Sequence, residues 1–454
     1  MFLLAATLLL KSATVIDGEP RVADILINGQ TITCVGKCAA PKDATVIEAT
    51  GKFVVPGFVD MHAHLTEHGG EPRWNRETTL RYLRLLLAHG VTTIRDPGSE
   101  TEVAVMLRKM LAERKIIGPR LFTAGRILNG SDFDPEPFAP VRDADDIRRE
   151  IRWQAEAGVD FIKIYSSMTP AQTKVAIDEA HARGLRVIGH LQRTTWTEAA
   201  RMGIDAIAHG APWSPEYLPP EARADYHQTM FGRVYWLEHI DLDAPVFREL
   251  TDELTTHHVV MDPTLIAYHT KFFGKTSYTS DWTDEQFAAA RKAWPKQLAL
   301  TTLLFDRGVL LTVGTDMPTT GIVPGESVHD EMALLVSAGI APRDVLRMAT
   351  RNAATALRAK IGAIEPGMSA DLVLLTKNPL DDIRSTRSIE LVIARGVRYD
   401  PTALMKPAPS SKAIAFAPSS TFTSTQSREK VETTRMSMPS PARSAETFAR
   451  NPTQ

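Results

Sequence analysis

The 454-residue chain is 43% hydrophobic, enough for one large core and an accessory domain. Its 52 basic and 54 acidic residues leave a formal net charge of -2. No run of Lys or Arg supplies the clustered basic surface that nucleic acid requires.

The two cysteines, Cys34 and Cys38, are too few for a disulfide-built scaffold. They read as ordinary thiols in a turn, because a zinc site would need two further ligands nearby. The apolar start, Met1 to Leu10, is short of the roughly 20 residues that span a bilayer. It also lacks the positive flank and cleavage site of a signal peptide. Thr7 to Asp17 is a β-branched, partly alternating run that closes on Gly18, so it reads as a first strand, and a cytoplasmic protein is expected. Asp24 to Asn28, Thr31 to Val35 and Thr45 to Glu48 continue as short strands of a small β-domain.

From Phe53 onward, short apolar segments alternate with amphipathic ones, the pattern of a parallel sheet built from βα units. The strand-like segments are Gly57 to His62, Thr92 to Asp96, Arg120 to Ala124, Phe161 to Tyr165, Arg186 to His190, Ala206 to His209, Val259 to Asp262, and Val309 to Thr315. Between them, helices are predicted at Thr78 to His89, Glu102 to Arg114, Ala144 to Ala157, Pro170 to Arg183, Thr197 to Met202, Pro245 to His257 and Asp284 to Asp306. Two more, Glu326 to Ala338 and Pro342 to Leu357, follow the last strand. Gly90, Gly158, Gly184 and Gly339 mark helix ends. Eight such units is the count of a TIM barrel. Gly367 to Leu375 and Ile389 to Tyr399 return to strand-like composition and complete the small domain. The expected fold is therefore α/β, a (β/α)8 barrel over 56–358 with a β-sandwich built from 1–55 and 359–405. A tail over 406–454, rich in Ser, Thr, Pro and Ala, is expected to be disordered.

Polar residues fall at the C-terminal ends of these strands, the face on which barrels carry active sites. His62 and His64 are two apart, so both imidazoles point the same way. Lys163 interrupts an apolar strand, and His190, His209 and Asp316 end or follow three others. One histidine at a strand end is more often structural or solvated than a ligand, and a lone lysine can snorkel to the surface. Their convergence in chain order on one face is what points to a metal site.

That set, the entry Val55-Pro56-Gly57-Phe58-Val59-Asp60-Met61-His62-Ala63-His64 and the exit Gly362 to Leu375 resemble the amidohydrolase superfamily. The likeness is to its branch of imidazolonepropionase-like and prolidase-like dipeptidases, and it runs from about Leu9 to Tyr399. The resemblance implies that His62, His64 and Asp316 hold a first metal, and His190 and His209 a second. It also implies that Lys163, carboxylated by carbon dioxide, bridges the two. Two zinc ions per subunit are expected, with manganese or cobalt compatible with the same donors. Water activated on the metals would then cleave an amide of a dipeptide, prolyl dipeptide or N-acyl amino acid, with Asp316 as general base and acid. An unmodified Lys163 would instead imply one metal and opening of a cyclic amide, as in imidazolonepropionase. A catalytically silent binding protein on the same fold is the reading from another class, and the intact ligand set argues against it.

Residues 210–257 form a long excursion carrying Trp213, Tyr217, Arg233, Tyr235, Trp236 and His239, which either shape specificity or pack the excursion on the barrel rim. The resemblance implies that Tyr268 contacts substrate or intermediate. His68 and, more weakly, Arg73 in the first loop are further substrate-binding candidates. His89, His181, His257 and His258 read as structural. The expected partner is a small molecule, not nucleic acid or membrane. The sequence leaves open whether the protein is a homo-oligomer.

Overall fold

In a computed structural model, which describes residues 7–66, 74–131 and 137–406, eight parallel strands pair in chain order into one curled sheet. They are Phe58–Asp60, Val91–Asp96, Arg120–Asn129, Phe161–Ile164, Arg186–Gly189, Ala206–Ala208, Val260–Asp262 and Leu310–Leu311. Helices follow most of them and cover the outer face, so nearly every strand residue is buried.

The last strand is shorter than predicted. Regular pairing covers only Leu310–Leu311, yet the chain runs on between strands seven and one through single backbone bonds. Thr312 N–H donates to Met261 at 2.8 Å, Met61 N–H to Val313 at 2.8 Å, and Asp316 N–H to His62 at 2.8 Å. These bonds close the barrel and deliver Asp316 beside His62. Gly314 permits the approach: a Cβ there would lie 2.9 Å from that of His62 and 3.0 Å from that of Asp262.

Helix Ala144–Ala157 illustrates the local code. Asp143 caps its first amides, and Gly158 ends it in the left-handed conformation at φ 93°. Two helices go beyond the sequence reading. Met230–His239 folds the long excursion, and Leu265–Phe273 follows strand seven and carries Tyr268. The predicted helix Pro342 to Leu357 is interrupted by a wide turn at Met348–Asn352. Its last part, Ala353–Leu357, packs with Val59, Met61, Phe161 and Ile188.

The terminal segments build a separate mixed sheet. Its order is Val397–Tyr399, Ile389–Ala394, Leu372–Leu375, Phe53–Pro56, Thr7–Val15, Arg21–Asn28 and Thr31–Gly36, with Thr45–Glu48 alongside Thr7–Val15. Leu10, Val15, Ile25, Ile27, Val54 and Leu372 form its core. The chain passes from Phe53–Pro56 through Gly57 directly into the first barrel strand. Cys34 and Cys38 correct the expectation of free thiols, for they form a disulfide. Gly36, at φ 126°, turns the chain back on itself, so their Cα atoms lie 5.9 Å apart, within disulfide reach. The predicted tail beyond Lys406 lies outside the described residues. Among the described residues no helix is long and apolar enough to cross a membrane.

Glu331, on helix Glu326–Ser337, joins the outer layer to the barrel mouth. Helix Leu265–Phe273 begins at Thr264, which is left-handed and makes no side-chain cap. Glu331 fills that role from outside, accepting from Leu265 N–H at 2.9 Å and Ile266 N–H at 2.7 Å. Burial pushes its carboxyl up to about 8, against the two amides that favour its ionised form. The folded chain thus holds a proton that the unfolded chain releases, so this contribution to stability falls as pH rises from the ordinary 4.5 to about 8. Glu331→Ala is expected to cost roughly 1–3 kcal/mol at about pH 5, from two unsatisfied amides, with a smaller loss at about pH 8. Urea denaturation of both proteins at the two pH values checks this.

Candidate metal centre

The described residues offer one compact set of donors. Ligand atoms of His62, His64 and Asp316 all lie within 4.8 Å of one another. Asp316 Oδ1 is 3.3 Å from His62 Nε2 and 3.6 Å from His64 Nε2. The other ring nitrogens face outward and are occupied. His62 Nδ1 lies 2.5 Å from Asp262, and His64 Nδ1 lies 2.8 Å from the Gly98 carbonyl. Fixing Nδ1 in this way leaves Nε2 to point inward, the arrangement of metal-binding histidines.

The remaining predicted residues gather around this triad. His209 packs on His62 with ring centroids 4.9 Å apart, and His190 packs on His209 at 4.2 Å. His209 Nδ1 lies 2.9 Å from the Thr264 hydroxyl, and the Tyr165 ring borders His190 at 4.7 Å. Lys163 is 1% exposed, and its charge acts on His62, His190 and His209. Burial pulls His62 down to about 4, against the pull of Asp262, and holds His190 and His209 well below the usual imidazole range. These rings are therefore neutral at physiological pH, the state in which imidazole donates to a metal. Burial opposes ionisation of Asp316, but His64, His209, His62 and Lys271 outweigh it and hold the carboxyl well below its ordinary value. Neutral imidazoles and an anionic carboxylate, converging and held from behind, fit a divalent cation.

His209 at φ 76°, Asp316 at φ 63° and Thr264 at φ 46° are all left-handed non-glycine residues at strand ends. Each turns the chain out of the strand just where a side chain enters the site, at a cost of about 1–3 kcal/mol apiece. Asp60 holds one of these turns. It accepts from His62 N–H at 3.0 Å and from Thr315 at 3.1 Å (N–H) and 2.7 Å (hydroxyl). Its burial pushes the carboxyl up to about 7, although those hydrogen bonds oppose the shift.

Tyr268 stands over the centre, with its ring 6.1 Å from His209 and its hydroxyl 3.2 Å from Trp213 Nε1–H. Burial raises its pKa further, so the phenol stays protonated. The excursion divides in two. Trp213 and Arg233 face Tyr268, whereas Tyr217 packs on Phe247, Trp236 donates to the Ser214 carbonyl, and Tyr235 stacks on His239. His68 and Arg73 lie outside the described residues. The sequence reading missed Asp60, Arg95, Asp262 and Asp96, whose carboxylate accepts from the Ser99 hydroxyl at 2.6 Å and lies 4.0 Å from His64 Nδ1, although each closes or nearly closes a barrel strand, which is the available signal.

Fold and site together define a barrel protein with a histidine-rich candidate metal centre at the C-terminal ends of its strands. The model of the amidohydrolase family matches residues 53–399, and the chain belongs to that family. Curated relatives match only locally. A dihydroorotase from Thermoanaerobacter sp. (strain X514) is 37% identical over 115 residues, 24% of this chain and 26% of that one. A dihydroorotase from Bacillus subtilis (strain 168) is 50% identical over 62 residues, 14% of each chain. The chain thus spans about a quarter or less of these relatives. Among solved structures, a Xaa-Pro dipeptidase with bound methionine in its active site superposes with TM-score 0.69 at 21% identity, covering 87% of this chain and 100% of that one. A molinate hydrolase gives 0.68 at 20% identity over 92% and 99%. These likenesses carry the fold. Family membership and the His62–His64–Asp316 set agree on a candidate metal centre.

Asp262→Asn keeps the size of the group that orients His62 but removes its charge. Metal affinity, measured by chelator competition, is expected to fall roughly 10- to 100-fold.

Proposed function

We propose that the protein hydrolyses the amide bond of a dipeptide, prolyl dipeptide or N-acyl amino acid at a centre of two zinc ions. What supports this reading is that His62, His64 and Asp316 converge, His209 and His190 pack beside them, and the fully buried Lys163 acts electrostatically on His62, His190 and His209. His62, His64 and Asp316 would hold one ion, and His190 and His209 the other. Lys163 would bridge them as a carbamate, because an ammonium beside two cations is repelled whereas a carbamate shares one negative charge over two oxygens. When bound, the metals supply an acidified water and polarise the scissile carbonyl.

The chain's own groups do the rest. Asp316 accepts the proton of the attacking water on its carboxylate oxygen and hands it to the leaving nitrogen. The protonated Tyr268 hydroxyl would donate to the carbonyl oxygen as negative charge develops there. The aromatic wall of Trp213 and Tyr268 restricts water around the reacting atoms. A structurally similar Xaa-Pro dipeptidase lends the substrate class support.

The compactness of the His62–His64–Asp316 set favours a second reading, one metal acting on a cyclic amide. Metal analysis separates them. Two ions per chain, falling to one or none in Lys163→Ala, are expected; one ion in both proteins, with lactams cleaved and linear amides untouched, would select the second reading. In either case metal-loaded Asp316→Asn is expected to lose about 10²–10⁴-fold in kcat, measured on whichever amide the parent protein cleaves.

A further inference from the structure

Lys271 lies one turn after Tyr268 on helix Leu265–Phe273 and is 6% exposed. Its ammonium sits 5.5 Å from the Tyr268 ring centroid and 4.9 Å from that of Tyr278. Arg233, half-buried on helix Met230–His239, lies 5.3 Å from the same Tyr268 ring and 5.5 Å from that of Trp213. The carboxylate that acts electrostatically on Lys271 is Asp316, and Arg233 contacts Met230 Sδ at 3.9 Å and the two rings. Burial pulls Lys271 down to about 8, so it is still protonated at neutral pH.

Two cations sharing one buried ring repel each other, and cation–π attraction is a weak substitute for lost water. A methionine or leucine would fill either position at less cost, so packing alone does not explain the charges. Their placement suggests what they face. Both cations flank Tyr268, whose ring lies 6.1 Å from that of His209, and Asp316 acts electrostatically on Lys271 as Arg233 does on His190.

We infer that Arg233 and Lys271 form the binding site for the free carboxylate of the substrate's amine-side residue, making the substrate an N-acylated amino acid rather than a neutral amide. This rests on the amide-hydrolase reading above. The side follows from chemistry: Asp316 protonates the leaving nitrogen, and an α-carboxylate is one carbon from that nitrogen, next to the lysine that Asp316 influences. A guanidinium and a point charge suit a planar carboxylate.

The test compares a panel of N-acetyl amino acids with their C-terminal primary amides on the zinc-loaded protein, reading kcat and KM. It also compares binding of the free amino acids and the amino-acid amides by calorimetry. The parent protein is expected to prefer the acids roughly 10- to 100-fold in kcat/KM. Lys271→Met and Arg233→Met should each erase most of that preference by raising KM for the acid, while Lys271→Arg retains it. Equal handling of acids and amides by the parent protein overturns the inference, whether or not the variants fold. So does a preference that survives in both methionine variants. If no amide is cleaved but free amino acids still bind more tightly than their amides, with Lys271→Met abolishing the difference, the carboxylate site stands and the proposed reaction falls.

Discussion

Asp262 is wholly withdrawn from water and held between two partners, the guanidinium of Arg95 and the imidazole of His62, each at 2.5 Å. Arg95 in turn donates to the Met61 carbonyl at 2.7 Å. Strands one, two and seven are thereby tied together across the barrel interior by charge. A buried pair of this kind adds little net stability over an apolar core, but breaking it leaves an uncompensated charge, at a cost of about 3–5 kcal/mol. Its value lies in geometry. The same carboxylate that neutralises Arg95 sets the rotation and tautomer of His62, so the position of a metal donor is inseparable from the register of the sheet.

The left-handed turns at His209, Thr264 and Asp316 belong to the same logic. Each is unfavourable alone and persists because surrounding groups over-determine it. Asp60 grips Thr315, Glu331 grips the start of the helix after Thr264, and the Thr264 hydroxyl reaches His209. The donors therefore stand on a frame held by Asp60, Glu331 and Thr264, groups outside the ligand set.

Much of this was legible in the chain. His62, His64, His190, His209 and Asp316 stand out because each is polar at or just beyond the end of an apolar strand, and Lys163 because it interrupts one. The groups behind them were harder to find, for physical reasons. Asp262 visibly ends its strand, but its role is set by Arg95, 167 residues away, and His62, 200 away. Helix Leu265–Phe273 carries no capping side chain of its own, since its cap is Glu331, 66 residues on. Met230–His239 did carry a signal in its Thr229 cap. The cysteines misled because four residues of separation suggests nothing until Gly36 reverses the chain between them.

That small covalent ring has a consequence for how the molecule meets its own kind. Thr31–Gly36 is the outermost strand of the mixed sheet, and an open edge is a template for pairing with another chain. Its first part is already covered, since Ile32 N–H donates to the Met368 carbonyl at 2.9 Å and Gly367 N–H to that of Ile32 at 2.8 Å. Joining Cys34 to Cys38 folds the following residues back on the end of that strand, shortening the stretch a second copy could extend. At the other edge, Val397–Tyr399 is only three residues long. One edge is kept brief by its length and the other by a knot of chain, so the sheet that anchors the barrel is guarded against growing into a neighbour.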